Sequence, residues 1–598
     1  MKISYFIVPL TLSLSILTGC TSLTAPPNTA SSSPVTEPIP DTAADSSEQQ
    51  ALADKVDLPN VDLTDEIFFK IVSSEVAFKR GEFAEAYATL MELGQKTHDP
   101  RLPKRALEMA LLAKQPAQAF YASRFWYEYA PHSEEALQYY LGFLVLNNDY
   151  PAVKSLVGKK LENASPKERG LIILQTQRLV MRSANKDASF KLLEDICQPY
   201  PDYLESHLAL AQAAFASNNS TRAMIEARAA LKVDPGSQIA VLTVAQVSAS
   251  PEESLKVLAD FLSQNPGAHE VRRAYAGMLV EQKQYAEARS QFNLLLAEKP
   301  DDAAVLYTLG VLALQMNDAP AAEKNLKAFV GMVDATQSEQ RDPTTAYLYL
   351  SQIADDKKDG AAAMAWLNKI QSYDGKNAAY FNAQLRLAVL KSKYESLERA
   401  REFLHEMNGS PEEKVQIIQL DAELLRNAGR DQEAIALLQE AIKNNPDNPD
   451  LLYDFAMMAE KFDRIDEMET ALRHVIAINP ENQHAYNALG YSLADRNIRL
   501  PEARILIEKA LALAPDDAFI MDSMGWLEFR ENKAQSALTY LERAYKIRPD
   551  ADIAVHVGEV LWSLGEQQKA IAIWREAKQK DPKNASLKNT LERLKVNL

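Results

Sequence analysis

Apolar residues, small residues and prolines recur along this chain with a period of 33 to 35 residues, most clearly in its C-terminal part. The period is set by Pro446, Pro480, Pro515, Pro549 and Pro582. Three columns of small residues keep a nearly fixed distance from these prolines: Ala441, Ala510, Ala544 and Ala577; Ala434, Ala503, Ala537 and Ala570; and Ala422, Ala456, Gly490, Gly525 and Gly558. Proline cannot continue a helix, and small residues suit positions where two helices cross closely. The pattern therefore predicts pairs of helices, each ending just before a proline.

The same spacing extends upstream, through Pro201, Pro235, Pro266 and Pro300. Residues 80–87 are typical of the turn between the first two helices, whereas the pattern is weaker around residues 135–200 and 375–410. The spacing resembles the tetratricopeptide (TPR) repeat, which implies an all-α, TPR-type helix-turn-helix solenoid of about fifteen repeats. A different helical repeat that only imitates this spacing is the alternative.

The first twenty residues have the pattern of a processing signal. Lys2 is followed by the apolar stretch 3–17, which is too short to span a bilayer. The stretch ends in Leu-Thr-Gly-Cys, and this motif resembles the bacterial lipobox. The resemblance implies a signal peptide over residues 1–19, acylation of Cys20 and anchoring in a membrane. An ordinary secretory signal with a chance cysteine is the alternative.

The resemblance also bears on the compartment. Thr21 and Ser22 follow Cys20, in place of the aspartate that retains many lipoproteins in the inner membrane. The expected location is therefore the outer membrane, with the body of the protein facing the periplasm.

Residues 20–63 form a second segment, rich in Pro, Ser, Thr and Ala, which contains no helical apolar stripe. Such a composition cannot bury enough apolar surface to fold, so we expect a disordered tether after Cys20. The repeats then occupy residues 64–598.

Charge disfavours nucleic acid as a partner. The chain has 65 Lys and Arg against 82 Asp and Glu, a net charge of -17, and no basic stripe. A surface this acidic repels phosphate backbones. If Cys20 is acylated, Cys197 has no partner for an internal disulfide, and we expect it to be a small buried apolar residue.

Motifs for catalysis are absent from the sequence. It has no phosphate-binding loop, dinucleotide fingerprint, nucleophile elbow or zinc-protease helix, and its eight histidines are scattered. The acidic pairs at residues 252–253 and 412–413 follow prolines, as first-turn helix residues do. We therefore expect no enzyme activity, metal, cofactor or small-molecule substrate.

In TPR arrays, side chains at set positions of the first helix of each pair line a concave groove that binds proteins. Applied to this sequence, the family pattern assigns these candidate groove residues: Tyr453, Asn487, Tyr491, Asp495, Asp522, Trp526, Phe529, Arg530, Glu559 and Trp562. Aromatic residues and arginine carry much of the binding energy at interfaces. The alternative for Trp526, Phe529 and Trp562 is a place in the core between repeats. The basic clamp that some TPR domains use for carboxylates is not evident.

A second aromatic cluster is a candidate partner site or a part of the core. It comprises Phe120, Tyr121, Phe125, Trp126, Tyr127 and Tyr129. Six aromatic rings in one helix exceed what a single buried stripe needs, so some must be exposed or face another element.

Three C-terminal segments, at residues 487–496, 522–526 and 556–562, resemble a narrower family. These are the large proteobacterial TPR lipoproteins of the outer membrane that include the LbcA-type adaptors of a periplasmic carboxyl-terminal processing protease. The resemblance implies a scaffold that brings this protease together with its substrates, notably peptidoglycan hydrolases. Two alternatives are a scaffold for outer-membrane assembly, pilus secretion or polysaccharide export, and an enzyme or glycan binder.

Overall fold

The computed structural model describes residues 58–336, 342–371 and 378–598, and within these ranges it contains 31 α-helices and no β-strand. The predicted signal peptide, Cys20 and most of the predicted tether lie outside the described residues. In chain order the helices are α1 (Asp65–Lys79), α2 (Phe83–Thr97), α3 (Arg101–Leu112), α4 (Pro116–Tyr129), α5 (Glu134–Leu146), α6 (Tyr150–Asn163), α7 (Pro166–Val180), α8 (Lys186–Cys197), α9 (Leu204–Ala216), α10 (Ser220–Val233), α11 (Gln238–Val247), α12 (Pro251–Gln264), α13 (His269–Glu281), α14 (Tyr285–Glu298), α15 (Ala303–Gln315), α16 (Ala319–Thr336), α17 (Thr344–Asp356), α18 (Gly360–Leu367), α19 (Ala378–Tyr394), α20 (Leu397–Glu406), α21 (Pro411–Asn427), α22 (Asp431–Asn444), α23 (Pro449–Lys461), α24 (Ile465–Ile478), α25 (Gln483–Asp495), α26 (Leu500–Leu513), α27 (Ala518–Arg530), α28 (Ala534–Ile547), α29 (Ala551–Ser563), α30 (Gln567–Lys580) and α31 (Ala585–Leu594).

The helices form fifteen consecutive pairs and one last helix, so the odd-numbered helices are the first members of the pairs. This arrangement confirms the predicted all-α repeat fold and its helix-turn-helix unit. Two compact units divide the chain, one comprising the described residues up to Phe329 and the other residues Val330–Leu598. We call the second the C-terminal unit.

The small-residue columns lie where the two helices of a pair cross. A Cβ atom added to Gly525 of α27 would lie 2.6 Å from Cγ of Leu541 and 3.1 Å from the carbonyl oxygen of Ala537, both in α28. Gly490 has the same relation to Ile507, and Gly558 to Trp574. All the alanines of the three columns are buried. The predicted reason for these small residues, close helix crossing, is therefore confirmed.

The positions of helix ends agree with the turn and capping residues in the sequence. In the turn predicted at residues 80–87, Gly81 has a φ of +84°, a conformation that favours glycine, and α2 begins at Phe83. Asp517 caps α27 by accepting hydrogen bonds from the backbone N–H groups of Phe519 and Ile520. The acidic pairs at residues 252–253 and 412–413 lie in the first turns of α12 and α21, as predicted.

The regions where the pattern is weaker, around residues 135–200 and 375–410, are helical as well. In α5 and α6, larger apolar residues such as Leu141, Val153 and Leu161 fill the helix contacts in place of alanines. Cys197, at the end of α8, is 2% exposed, and burial raises the pKa of its thiol to about 12. It is therefore a small buried residue, as expected.

Candidate protein-binding groove

The first helices of successive pairs in the C-terminal unit bring their side chains towards one another across a concave surface. Tyr491 lies in α25 and His556 in α29, the first helices of two pairs that are two repeats apart, with α27 between them. Even so, the Tyr491 hydroxyl lies 3.4 Å from Nε2 of His556, and the two ring centroids are 6.0 Å apart. Contact between helices two repeats apart requires the surface to curve inward. We call the surface formed by α21, α23, α25, α27, α29 and α31 the groove.

A polar and aromatic cluster at the centre of the groove joins α25, α27 and α29. Nδ1 of His556 lies 2.9 Å from both carboxylate oxygens of Asp522. The His556 ring stacks on the Trp526 indole with centroids 4.2 Å apart. Trp526 donates a hydrogen bond from Nε1 to Oδ1 of Asp495, at 3.0 Å. The charged groups of this cluster are therefore held in fixed positions by neighbouring repeats.

His556 is only 9% exposed, yet the structure favours its charged form. Burial alone would lower the pKa of the imidazole. The charge and hydrogen bond of Asp522, with smaller contributions from Asp495 and Glu559, outweigh burial and raise the pKa of His556 above its usual value. When the imidazole is protonated, His556 and Asp522 form a buried ion pair.

The N-terminal part of the groove is formed by α21 and α23. Gln419 donates a hydrogen bond from Nε2 to Oδ2 of Asp454, at 2.7 Å. Burial raises the pKa of Asp454, and the nearby Asp450 adds to the effect. Tyr453 is half-buried, and burial with the charges of Asp454 and Glu460 raises the pKa of its hydroxyl to about 12.

At the C-terminal end of the groove, side chains of the last helix, α31, contact those of α29. Glu559 of α29 is 7% exposed and lies 2.5 Å from a guanidinium nitrogen of Arg593 in α31. Thr590 donates a hydrogen bond to the same carboxylate, at 3.4 Å. Trp562, half-buried, packs with its ring centroid 5.7 Å from that of Trp574.

The structure divides the ten predicted groove residues into two sets. Those at the surface or half-buried are Tyr453, Asn487, Tyr491, Asp495, Phe529, Arg530 and Trp562. Those that are nine-tenths buried are Asp522, Trp526 and Glu559. Trp526 is 5% exposed, and Phe529 and Trp562 pack against the core of the last repeats. These three aromatic residues therefore contribute to packing between repeats.

Arg530 makes contacts within the unit. Its Nε donates a hydrogen bond to the carbonyl oxygen of Ala494, at 3.1 Å, and its guanidinium lies 5.6 Å from the centroid of the Trp526 ring. A second nitrogen donates to the carbonyl oxygen of Asp495. Arg530 thus satisfies the last carbonyl groups of α25.

The predicted set omits His556 and Asp454, although both contribute polar groups to the groove. Each lies one residue after a position that the repeat pattern assigns to the groove, and so outside the pattern. Both occupy the same position in their repeats, in the second turns of α23 and α29. A polar, titratable residue at this position in two repeats is the signal that could have identified them.

The second predicted cluster lies on α4, in the unit that ends at Phe329. Trp126 is 4% exposed, whereas Tyr121 is 47% exposed. Phe120 stacks with Tyr140 of α5, at 6.0 Å between centroids, and Tyr127 stacks with the same ring at 5.7 Å. The remaining rings, Phe125 and Tyr129, pack along α4 beside Tyr121. Three of the six rings, Phe120, Trp126 and Tyr127, therefore join α4 to α5, and Tyr121 is the exposed member of the cluster.

Two kinds of feature are missing from the described ranges. No group of three or more His, Cys, Asp or Glu residues there is arranged to hold a metal ion. No helix among these residues combines the length and apolar character needed to cross a bilayer.

Comparisons with known proteins identify the repeat. Residues 249–312 and 425–490 match one tetratricopeptide-repeat family, and residues 307–378 and 523–585 match another. The chain is 38% identical over 215 residues to TPR repeat-containing protein PA4667 of Pseudomonas aeruginosa, a match that covers 36% of each chain. It is 29% identical over 113 residues to a TPR repeat-containing protein of Treponema pallidum, covering 19% of this chain and 14% of that one. The chain thus matches about a third or less of the length of these relatives.

Solved structures of TPR proteins are also similar. A thermophilic TPR protein from Thermus thermophilus aligns with 22% identity and a TM-score of 0.27, covering 29% of this chain and 96% of that one. A tetratricopeptide repeat protein from Parabacteroides merdae aligns with 16% identity and a TM-score of 0.32, covering 42% and 97%. The family matches cover residues 249–378, 425–490 and 523–585, and the helix pairs in these segments are tetratricopeptide repeats.

Proposed function

We propose that the chain is a lipid-anchored periplasmic scaffold that binds client proteins in the groove of its C-terminal unit. The observation that carries the proposal is the groove itself, in which half-buried Tyr453 and Tyr491 lie among carboxylates on a concave surface. TPR repeats generally mediate contacts between proteins, which supports this class of function. Aromatic side chains in a concave, partly desolvated site are the usual anchors of such contacts.

The more specific role that we propose is that of an adaptor for a carboxyl-terminal processing protease. The support is the resemblance of residues 487–496, 522–526 and 556–562 to the LbcA-type family. An adaptor that holds a protease and a peptidoglycan hydrolase together raises the local concentration of one for the other. A scaffold for outer-membrane assembly, pilus secretion or polysaccharide export is the second candidate, since it would use the same repeats.

Affinity capture tests the groove and distinguishes the two roles. The full-length chain, purified in detergent, is used to capture proteins from an envelope extract, beside a variant with Tyr453→Ala and Tyr491→Ala. Both rings are half-buried, so their removal should weaken capture while leaving most of the helix packing intact. Trp526 is unsuitable for this purpose, because its replacement would open the core between α25 and α29.

The matched control for this capture carries Ile505→Ala and Ile547→Ala, which remove two exposed apolar side chains from the second helices α26 and α28. We expect the wild type and the control to retain a protease and a cell-wall hydrolase, and the tyrosine variant to lose both. Recovery of pilus, export or assembly proteins instead would favour the second candidate. Equal capture by all three proteins, each with a normal circular dichroism spectrum, would exclude the groove as the binding surface.

The proposed anchor has its own test. The Cys20→Ala variant lacks the thiol that the lipobox motif assigns to acylation. We expect this variant to appear in the soluble fraction, with the folding of the repeats unchanged, because the repeat helices that the structure describes begin at Asp65. Retention of the variant in salt-washed membranes would contradict the lipoprotein proposal.

A further inference from the structure

The groove carries more negative charge than its own residues neutralise. Its carboxylates are Glu423, Asp450, Asp454, Glu460, Asp495, Asp522, Asp552 and Glu559. Asp522 pairs with His556, and Glu559 pairs with Arg593. The other six carboxylates form no ion pair with any residue in the part of the chain that the structure describes. Two further cations lie beside them, since the charge of Arg426 acts on Asp454 and the guanidinium of Arg530 lies against Trp526, so these carboxylates still outnumber the cations.

Two carboxylates outside the groove, one in a second helix and one in the turn after a first helix, have close cationic partners. Glu469 of α24 forms ion pairs with Arg473 and Arg499, which hold its pKa down to about 2. Glu531, after α27, pairs with Arg504 and Lys533. These charges are neutralised within the protein. In the groove, by contrast, burial and neighbouring carboxylates raise the pKa of Asp454.

Uncompensated charge on a concave surface is unfavourable unless a partner supplies the opposite charge. The groove is arranged to accept such a partner. The charge of Glu460 acts on both half-buried tyrosines, Tyr453 and Tyr491. Aromatic faces flanked by carboxylates favour cations, because the ring quadrupole and the carboxylate attract the same charge.

The unused hydrogen-bond acceptors of the groove also favour a cationic partner. The side-chain oxygen of Asn487, in α25, is buried and accepts no hydrogen bond from the described residues. Carboxylates are acceptors only, so the groove has more acceptors than donors. Lysine and arginine carry donors only, on long stems that can pack along aromatic rings.

We propose that the groove of the C-terminal unit binds an extended, lysine- and arginine-rich segment of its client proteins. This inference rests on the proposed protein-binding function and adds the chemistry of the partner. An acidic segment would meet repulsion from the six unpaired carboxylates. A neutral apolar segment would leave these carboxylates partly desolvated without a counter-charge, which is costly.

Selection from a random peptide library tests the proposal directly, because the selection requires no identified client. Peptides of about 12 residues displayed on phage are selected on the immobilised full-length chain. We expect the retained peptides to be enriched in lysine and arginine relative to the starting library. Retention of acidic or neutral peptides, or failure to retain any peptide above background, overturns the proposal.

Two variants with the same net charge locate the binding site. The groove variant carries Glu423→Gln, Glu460→Gln and Asp495→Asn, and the asparagine can still accept the hydrogen bond from Trp526. The control variant carries Glu440→Gln, Glu481→Gln and Glu542→Gln, three exposed carboxylates that do not act on the groove tyrosines.

Affinity for a selected peptide is measured by fluorescence anisotropy. We expect the groove variant to bind about tenfold more weakly than the wild type, and the control variant to bind almost as well as the wild type. Equal losses in the two variants would mean that the peptide is attracted by net charge alone, which contradicts the proposal. If envelope clients are still captured through Tyr453 and Tyr491 but the groove variant captures them normally, the scaffold function stands and the cationic partner does not.

Discussion

Replacement of Trp574 by alanine will lower the free energy of unfolding of the C-terminal unit by about 3–5 kcal/mol, the usual cost of truncating a fully buried tryptophan. Trp574 has no exposed surface, and its indole fills the space left by Gly558 of α29. Its Nε1 also donates a hydrogen bond to the carbonyl oxygen of Val555, at 3.3 Å. Alanine would leave a cavity at this helix crossing and a carbonyl group without this donor.

The measurement is urea unfolding followed by circular dichroism, with hydrogen exchange to locate the loss. Because each repeat is stabilised mainly by its neighbours, protection should fall first in α29, α30 and α31. Trp574→Leu is the matched control, since Leu541 and Ile507 occupy the same place beside Gly525 and Gly490. We expect the leucine variant to lose clearly less stability than the alanine variant. Wild-type stability and protection in Trp574→Ala would contradict the packing described for α29 and α30.

Asp522→Ala will destabilise the C-terminal unit by about 3 kcal/mol, near the lower end for breaking a buried ion pair, because His556 can lose its proton. Both side chains are nine-tenths buried, and no other carboxylate forms a hydrogen bond with Nδ1 of His556 among the described residues. His474 and Asp447 provide the matched control. Their side chains are also 2.9 Å apart, but Asp447 is 73% exposed and His474 is 39% exposed, so Asp447→Ala should cause little or no change.

The same pair makes stability depend on pH in a defined direction. The folded-state pKa of His556 is raised above its usual value of 6.5. The pair therefore stabilises the fold fully below about pH 6.5, and this contribution is lost as the pH rises through the raised pKa. We expect the difference in unfolding free energy between the wild type and Asp522→Asn to shrink from pH 6 towards alkaline pH. A difference that stays constant or grows with pH would contradict a charged His556.

The repeat pattern was sufficient to predict the helix pairs, because the features that define them are local. The end of α26 is marked by Pro515, and close helix crossings are marked by Ala510 and Gly525. Each of these features belongs to a single helix pair. The regions in which the repeat pattern is weaker also have a local explanation. In α5 and α6 the crossings are filled by leucine and valine, and residues of this size do not form a distinctive column.

The groove was predicted only in part, because its geometry depends on contacts between repeats. The period of the sequence does not encode how strongly successive pairs rotate, and this rotation brings Tyr491 against His556. It also buries Trp526 between Asp495 and His556, so a residue at a surface position of the pattern becomes part of the packing. Asp495 and Tyr453, by comparison, remain accessible enough to contact a partner.

The most direct test of the account is site-specific photo-crosslinking in cells that express the full-length chain. A benzophenone side chain replaces Tyr453 or Tyr491 in the groove, or Ile505 on the second helix α26, where the native side chain is 69% exposed. If the groove binds client proteins, irradiation will give client adducts from the two tyrosine positions and few or none from Ile505. Adducts from Ile505 with none from Tyr453 or Tyr491 would show that clients bind elsewhere and would contradict the central claim.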